Sequence, residues 1–208
     1  MDIESILIII PGVVLGLTLH EFCHAFCAWK LGDSTARDQG RLTFNPLKHI
    51  DFIGFLFIIF AGFGWAKPVQ FNPDNLRKYR RDKALIAAAG PLSNLALGIL
   101  LALLVRILLN NFVELYFSNV IFEYFLDILY TAAILNFGLF VFNLIPIPPL
   151  DGSHIVFSGL NLKFETEERI RKFGIPVLFL IIIVQNTTGI RIIPIDIAAR
   201  AIMSLFIS

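Results

Sequence analysis

Leu15-Gly16-Leu17-Thr18-Leu19-His20-Glu21-Phe22-Cys23-His24-Ala25-Phe26 is the stretch on which the rest of the chain turns. It places two histidines four residues apart around a glutamate, inside an apolar run from Ile3 to Ala28. On a helix, positions i and i+4 share a face about 6 Å apart. Both imidazoles then reach one metal ion, and Glu21 reaches a water held by that ion. The flanks set the medium. Leu15, Leu17, Leu19, Phe22, Ala25 and Phe26 cover every direction around this helix, whereas a soluble helix keeps a polar far face. The reading that follows is a metal-binding helix buried in lipid.

Composition agrees. Of 208 residues, 57% are hydrophobic and only 16% are charged, where soluble domains carry about 25%. The fold expected is an α-helical polytopic membrane protein in a single domain, residues 1–208. Cys23 and Cys27 lie one turn apart in the apolar run and read as small core residues in preference to a second metal pair. The N-terminus lacks the basic flank of a cleavable leader, so the first apolar run is expected to stay in the mature protein.

Working outward, residues 3–29 form the first span, with a bend expected at Pro11-Gly12. The region 40–73 is read as a re-entrant and β segment. Gly40 to Pro46 is a short strand ended by a turn, Phe52 to Trp65 is too short to span, and Trp65 to Pro73 is extended. Residues 75–83 form a basic, solvated helical face, and His49 sits at the surface beside Asp51. Residues 84–109 and 120–143 are the second and third spans, joined by a loop at 110–119. Beyond the proline run Pro146, Pro148, Pro149, residues 173–207 hold one or two further apolar segments, spanning or interfacial.

Lysine and arginine orient the spans. Segment 30–83 carries ten (Lys30, Arg37, Arg41, Lys48, Lys67, Arg77, Lys78, Arg80, Arg81, Lys83) and segment 161–172 carries four, while 110–119 carries none. The positive-inside rule puts 30–83 and 161–172 in the cytoplasm. The motif helix and the third span then end on the same side, which brings Asp151 to the depth of the histidines. A catalytic zinc takes three protein ligands and an open position. Asp151 is the leading third ligand and His154 the rival, whereas Glu123 and Asp127 lie at the opposite face. Carboxylates at membrane depth are costly and mark function. Zinc lowers the pKa of water from 15.7 towards 7, and Glu21 is placed to take that proton and return it to a leaving amine.

With these residues assembled, the chain resembles the site-2 protease family of intramembrane zinc metalloproteases. The resemblance rests on His20-Glu21-Phe22-Cys23-His24, on Ala89-Gly90-Pro91-Leu92-Ser93-Asn94, and on Asn143-Leu144-Ile145-Pro146-Ile147-Pro148-Pro149-Leu150-Asp151-Gly152. The stretches 40–46 and 64–69 look like the family's membrane-associated β segment, and together these cover most of residues 7–160. The resemblance implies a three-span catalytic core binding one Zn2+ through His20, His24 and Asp151. It makes Glu21 the catalytic acid/base and places Asn143 near substrate or transition state. For Asn94 two readings stand side by side: a bond to a neighbouring helix, or a role at the substrate or transition state. No PDZ or CBS insertion is seen, as in compact bacterial or archaeal members.

The expected function is zinc-dependent hydrolysis of peptide bonds in or near transmembrane segments of membrane-protein substrates. The setting is the lipid bilayer of the cell (cytoplasmic) membrane, with the active site nearer the cytoplasmic face and no nucleic-acid partner. The 40–71 region is expected to pair with an extended substrate strand. The alternative is a non-proteolytic zinc-binding membrane protein or inactive homologue.

Overall fold

The computed structural model describes residues 2–61, 64–160, 162 and 164–207. Gly62 and Phe63 of the expected re-entrant segment, and Lys163 of the second basic segment, lie outside the described residues. Helix α1 (Ile3–Lys30) starts where the Asp2 side chain accepts the Ser5 N–H at 2.8 Å. It continues through Pro11. It ends because Gly32 adopts φ 111°, which lets Asp33 N–H reach back to the Ala28 carbonyl at 3.0 Å. After the short α2 (Thr35–Asp38) and α3 (Phe52–Ala61) come the long helices α4 (Tyr79–Ser118) and α5 (Val120–Asn143). Helices α6 (Asp151–Leu160), α7 (Phe164–Thr188) and α8 (Ile195–Ser204) complete the chain.

Four of the described helices are long and apolar enough to cross a membrane: α1, α4, α5 and the part of α7 from Glu165 to Thr188. Their side chains are distributed inside out relative to a soluble bundle. Leu15, Phe26, Leu92, Leu100 and Leu180 are exposed, while Thr18, His20, Glu21, His24, Asn94 and Asn136 are buried. Lipid is as apolar as leucine, so outward-facing leucine costs nothing there, and polar groups must find partners inside the bundle. Helix contacts use small residues for the same reason. Ala102 on α4 meets Ala132, Ala133 and Phe137 on α5, and α8 closes this cluster with Ala199 and Met203. The chain is therefore a multi-pass membrane protein, with α7 as a fourth candidate span and α8 packed onto the core.

Several expectations are corrected. No strand of a sheet forms among the described residues; region 40–73 holds one isolated bridge, Ile50 with Ala66. Proline at 46, 68 and 73 removes ladder donors. Side chains take over the backbone groups that a partner strand would have satisfied. Arg41 donates to Lys67 and Pro68 carbonyls, and the buried Asp33 accepts from Asn72 N–H and the Asn75 amide. The segment is extended but held singly.

The 110–119 loop is also absent. Residues 110–118 remain in α4 with one non-helical residue, Phe112, and Asn119 alone separates α4 from α5, capping Ile121 and Phe122. His49 is fully buried, its Nε2–H donating to the Thr43 carbonyl at 2.7 Å. Burial pushes its pKa below the usual imidazole value, so it is neutral at pH 7. Nor is 75–83 entirely solvated. Lys83 is buried and pairs with Glu167 at 2.7 Å, tying the start of α4 to α7.

Candidate metal centre

Two antiparallel faces build the site. On α1 the face is His20 and His24; on α4 it is Ile86, Gly90 and Asn94, each four residues apart. His20 Nδ1 lies 2.7 Å from Asn94 Oδ1, and His24 Nδ1 lies 2.7 Å from the Ile86 carbonyl. Gly90 falls between these two bonds. A Cβ there would sit 2.6 Å from His24 Cε1 and 2.7 Å from His20 Cε1, so only glycine lets the two helices approach.

The bonds fix both tautomers. Asn94 Nδ2 already donates to the Gly16 carbonyl and to Asn136 Oδ1, which leaves Oδ1 to accept from His20. A backbone carbonyl only accepts. Both Nδ1 atoms therefore carry a proton, and in the neutral rings that bind a metal both Nε2 atoms present lone pairs. Those lone pairs face each other at 2.9 Å. Asp151 Oδ2 lies 3.2 Å from His20 Nε2 and 3.3 Å from His24 Nε2, and it is buried with no hydrogen-bond donor. Three acceptors converging on one point is unfavourable unless a cation lies between them. Tetrahedral zinc, with ligands at about 2.0–2.2 Å, separates its donor atoms by roughly 3.3 Å. The donor set fits zinc in chemistry and in spacing.

Asp151 arrives because α5 stops at Asn143 and the proline run cannot continue it, so α6 begins afresh with Asp151 in its first turn. His154, the rival ligand, is not in the three-residue set. It lines a cavity of about 390 Å³ with Val69, Phe71, Tyr79, Lys83 and Arg171. Burial first, then the Arg171 and Lys83 cations, push its pKa down to about 4. Between the unfolded value near 6.5 and 4, the unfolded chain binds the extra proton, so His154 erodes stability as pH falls through that window and is neutral in its effect above it. His154→Asn is expected to flatten the fall in Tm between pH 6.5 and 4 relative to wild type, measured by thermal unfolding in detergent.

Glu21 is buried, and its Oε2 accepts the Val69 N–H at 2.9 Å. Asn143 is half-buried at the end of α5, and its amide donates within its own helix to Leu139 at 3.0 Å. Asn136, which sequence reasoning passed over, is fully buried and extends the network: its own Nδ2 donates to the Ala132 carbonyl. The signal available was an amide in the middle of an apolar span, where a polar group needs a partner inside the bundle. His20 is thus oriented by a relay through Asn94 and Asn136 across three helices. Asn94→Ala is expected to weaken zinc binding about 10–100-fold, read by competition with a chromogenic chelator.

Comparison with known proteins accords with this geometry. The model of peptidase family M50 matches residues 108–185. A Bacillus subtilis protein carrying the provisional name zinc metalloprotease YwhC is 37% identical over 199 residues, covering 93% of this chain and 88% of its own. Rip2 of Mycolicibacterium smegmatis, also provisionally named a zinc metalloprotease, is 33% identical over 74% of this chain and 58% of its own length. Rip2 of Mycobacterium tuberculosis H37Rv is 30% identical over 87% and 68%. No solved structure matches the chain. Similarity that runs nearly end to end, through both halves of a zinc-ready site set among membrane-length helices, makes the chain a member of peptidase family M50, the intramembrane zinc metalloproteases of the site-2 protease type.

Proposed function

We propose that this protease cuts polypeptide segments of other membrane proteins within or near the bilayer, with His20, His24 and Asp151 holding zinc and Glu21 moving the proton. The observation that carries this assignment is the convergence of three buried acceptor atoms beside a buried glutamate. Bound zinc supplies Lewis-acid polarisation of a peptide carbonyl and acidification of a water molecule. The protein does the rest. Asn94 and Ile86 hold the imidazoles in the tautomer that leaves Nε2 free. Glu21 Oε2 is occupied by Val69, whereas Oε1 takes no hydrogen bond from a described residue. That oxygen is the one that accepts a proton from the attacking water and delivers it to the departing amide nitrogen.

Burial of the site among α1, α4 and α6 excludes bulk water, which strengthens each of these electrostatic contacts. Helical substrate amides are shielded by their own hydrogen bonds, so a substrate must unwind locally to reach the site. The charge asymmetry supports an active site nearer the cytoplasmic face of the cell membrane. A zinc transporter would need ligands strung across the bilayer, and among the described residues the one set of three potential ligands is His20, His24 and Asp151. The test is reconstitution with a single-span membrane protein in liposomes. Wild type cleaves it and the Glu21→Gln protein, still loaded with zinc, holds it uncut for identification; cleavage that persists in Glu21→Gln removes Glu21 from the mechanism.

A further inference from the structure

The Glu21 carboxylate is not positioned by its own helix alone. Its Oε2 is tied to the backbone N–H of Val69, in an extended segment that belongs to no sheet. A single extended segment has no ladder to hold it, so something else must fix Val69. Arg41 does so. Its side chain is almost fully buried, with Nη2 donating to the Lys67 carbonyl at 2.6 Å and Nη1 to the Pro68 carbonyl at 3.2 Å. Its backbone N–H is anchored in turn to the Ala36 carbonyl at 2.9 Å.

The distance to the glutamate is informative. Arg41 Nη2 lies 3.9 Å from Glu21 Oε2. A direct arginine–carboxylate bond runs at about 2.7–2.9 Å and is commonly bidentate. Here the guanidinium directs its two terminal nitrogens at successive carbonyls and reaches the carboxylate through the next residue. Lysine, with one point charge, cannot grip two carbonyls in this planar fashion. The segment has one backbone anchor beside Arg41: Lys67 N–H bonds the His49 carbonyl at 2.8 Å, two residues short of Val69, and Pro68 has no N–H to add another.

We propose that Arg41 is a positioning residue for Glu21, acting through the Lys67-Pro68-Val69 backbone so that Val69 N–H fixes Oε2 and leaves Oε1 turned to the reaction. The proposal rests on Glu21 as the acid/base, and its test separates the two. The first readout needs no substrate. Amide hydrogen exchange of residues 67–70, measured on the zinc-loaded full chain in detergent, is expected to be slow in wild type. It should quicken in Arg41→Gln, and quicken at Val69 in Glu21→Ala.

The second readout is hydrolysis of fluorescently labelled casein, an unfolded polypeptide. Arg41→Gln and Val69→Pro, which deletes the N–H, are each expected to lower kcat about 10–100-fold with zinc content and KM unchanged. Arg41→Lys should fall between. The double variant should be no worse than the more impaired single one, because both changes remove the same bond. Unchanged exchange in Arg41→Gln overturns the proposal, as do additive losses in the double variant. A fully active Arg41→Gln beside an inactive Glu21→Gln overturns it while leaving the role of Glu21 intact; an active Glu21→Gln overturns both. Should Arg41→Gln fail to fold, Arg41→Lys decides the matter by both readouts and Val69→Pro by hydrolysis.

Discussion

Glu21→Gln is expected to lower the rate of peptide cleavage by about 10²–10⁴-fold while leaving zinc in place. The size is that of a lost general acid–base catalyst. The amide is nearly isosteric with the carboxylate, so the change removes proton transfer with little disturbance of volume. Glutamine can still accept the Val69 N–H through its oxygen, so segment 67–69 keeps its bond. The proposed zinc ligands are separate atoms on His20, His24 and Asp151, and the two imidazoles are oriented from α4 by Asn94 Oδ1 and the Ile86 carbonyl, not by Glu21. Metal content by mass spectrometry of the folded protein and initial rates on the same preparation test this together. Retained cleavage, or loss of zinc in step with activity, would contradict the assignment of Glu21.

Gly90→Ala is expected to abolish high-affinity zinc binding without unfolding the helices. Neither histidine ring can retreat from the new methyl while keeping its Nδ1 bond, because both acceptors, Ile86 O and Asn94 Oδ1, stand on the same face of α4 as the methyl itself. Carbon atoms pack at about 3.5–4.0 Å, so contacts near 2.6 Å must open by moving α4 away from α1 or by turning the rings. Either motion parts the Nε2 atoms from Asp151. Alanine meanwhile favours the helix by about 1 kcal/mol over glycine. Far-ultraviolet circular dichroism should therefore be unchanged, and the zinc-free protein should still unfold cooperatively, with Tm lowered modestly because overpacking of about 1–3 kcal/mol outweighs that gain. A fall in zinc affinity well beyond 10-fold, with these controls intact, distinguishes a local clash from general destabilisation.

What could be read in advance was whatever depends on pattern along one strand of sequence. Three spans were legible because an apolar run of membrane length admits few other structures. The pairing of His20 with His24 follows from helical periodicity. Asp151 was reachable because charge asymmetry reports depth, and depth is a single coordinate. The β region misled. Alternating residues with prolines describe an extended chain well enough, but whether it finds a ladder partner is a question of neighbours.

His49 and Lys83 were misplaced for a related reason. A polar residue in a polar stretch carries no mark of being covered, and it was the approach of 40–46 and of Glu167 that buried them. Gly90 stood in the sequence only as part of the Ala89-to-Asn94 motif; its contact with the His20 and His24 rings required α4 to be set antiparallel to α1 at one register. Asn136 and Arg41 depend on bonds reaching 42 and 26 residues along the chain. Hydropathy and donor type are properties of single residues and their spacing, so the medium, the metal and the chemistry could be read from them. The tautomers, the orienting relay and the clamp on Glu21 came from packing, because a hydrogen bond between distant residues exists once packing has chosen which helix faces meet.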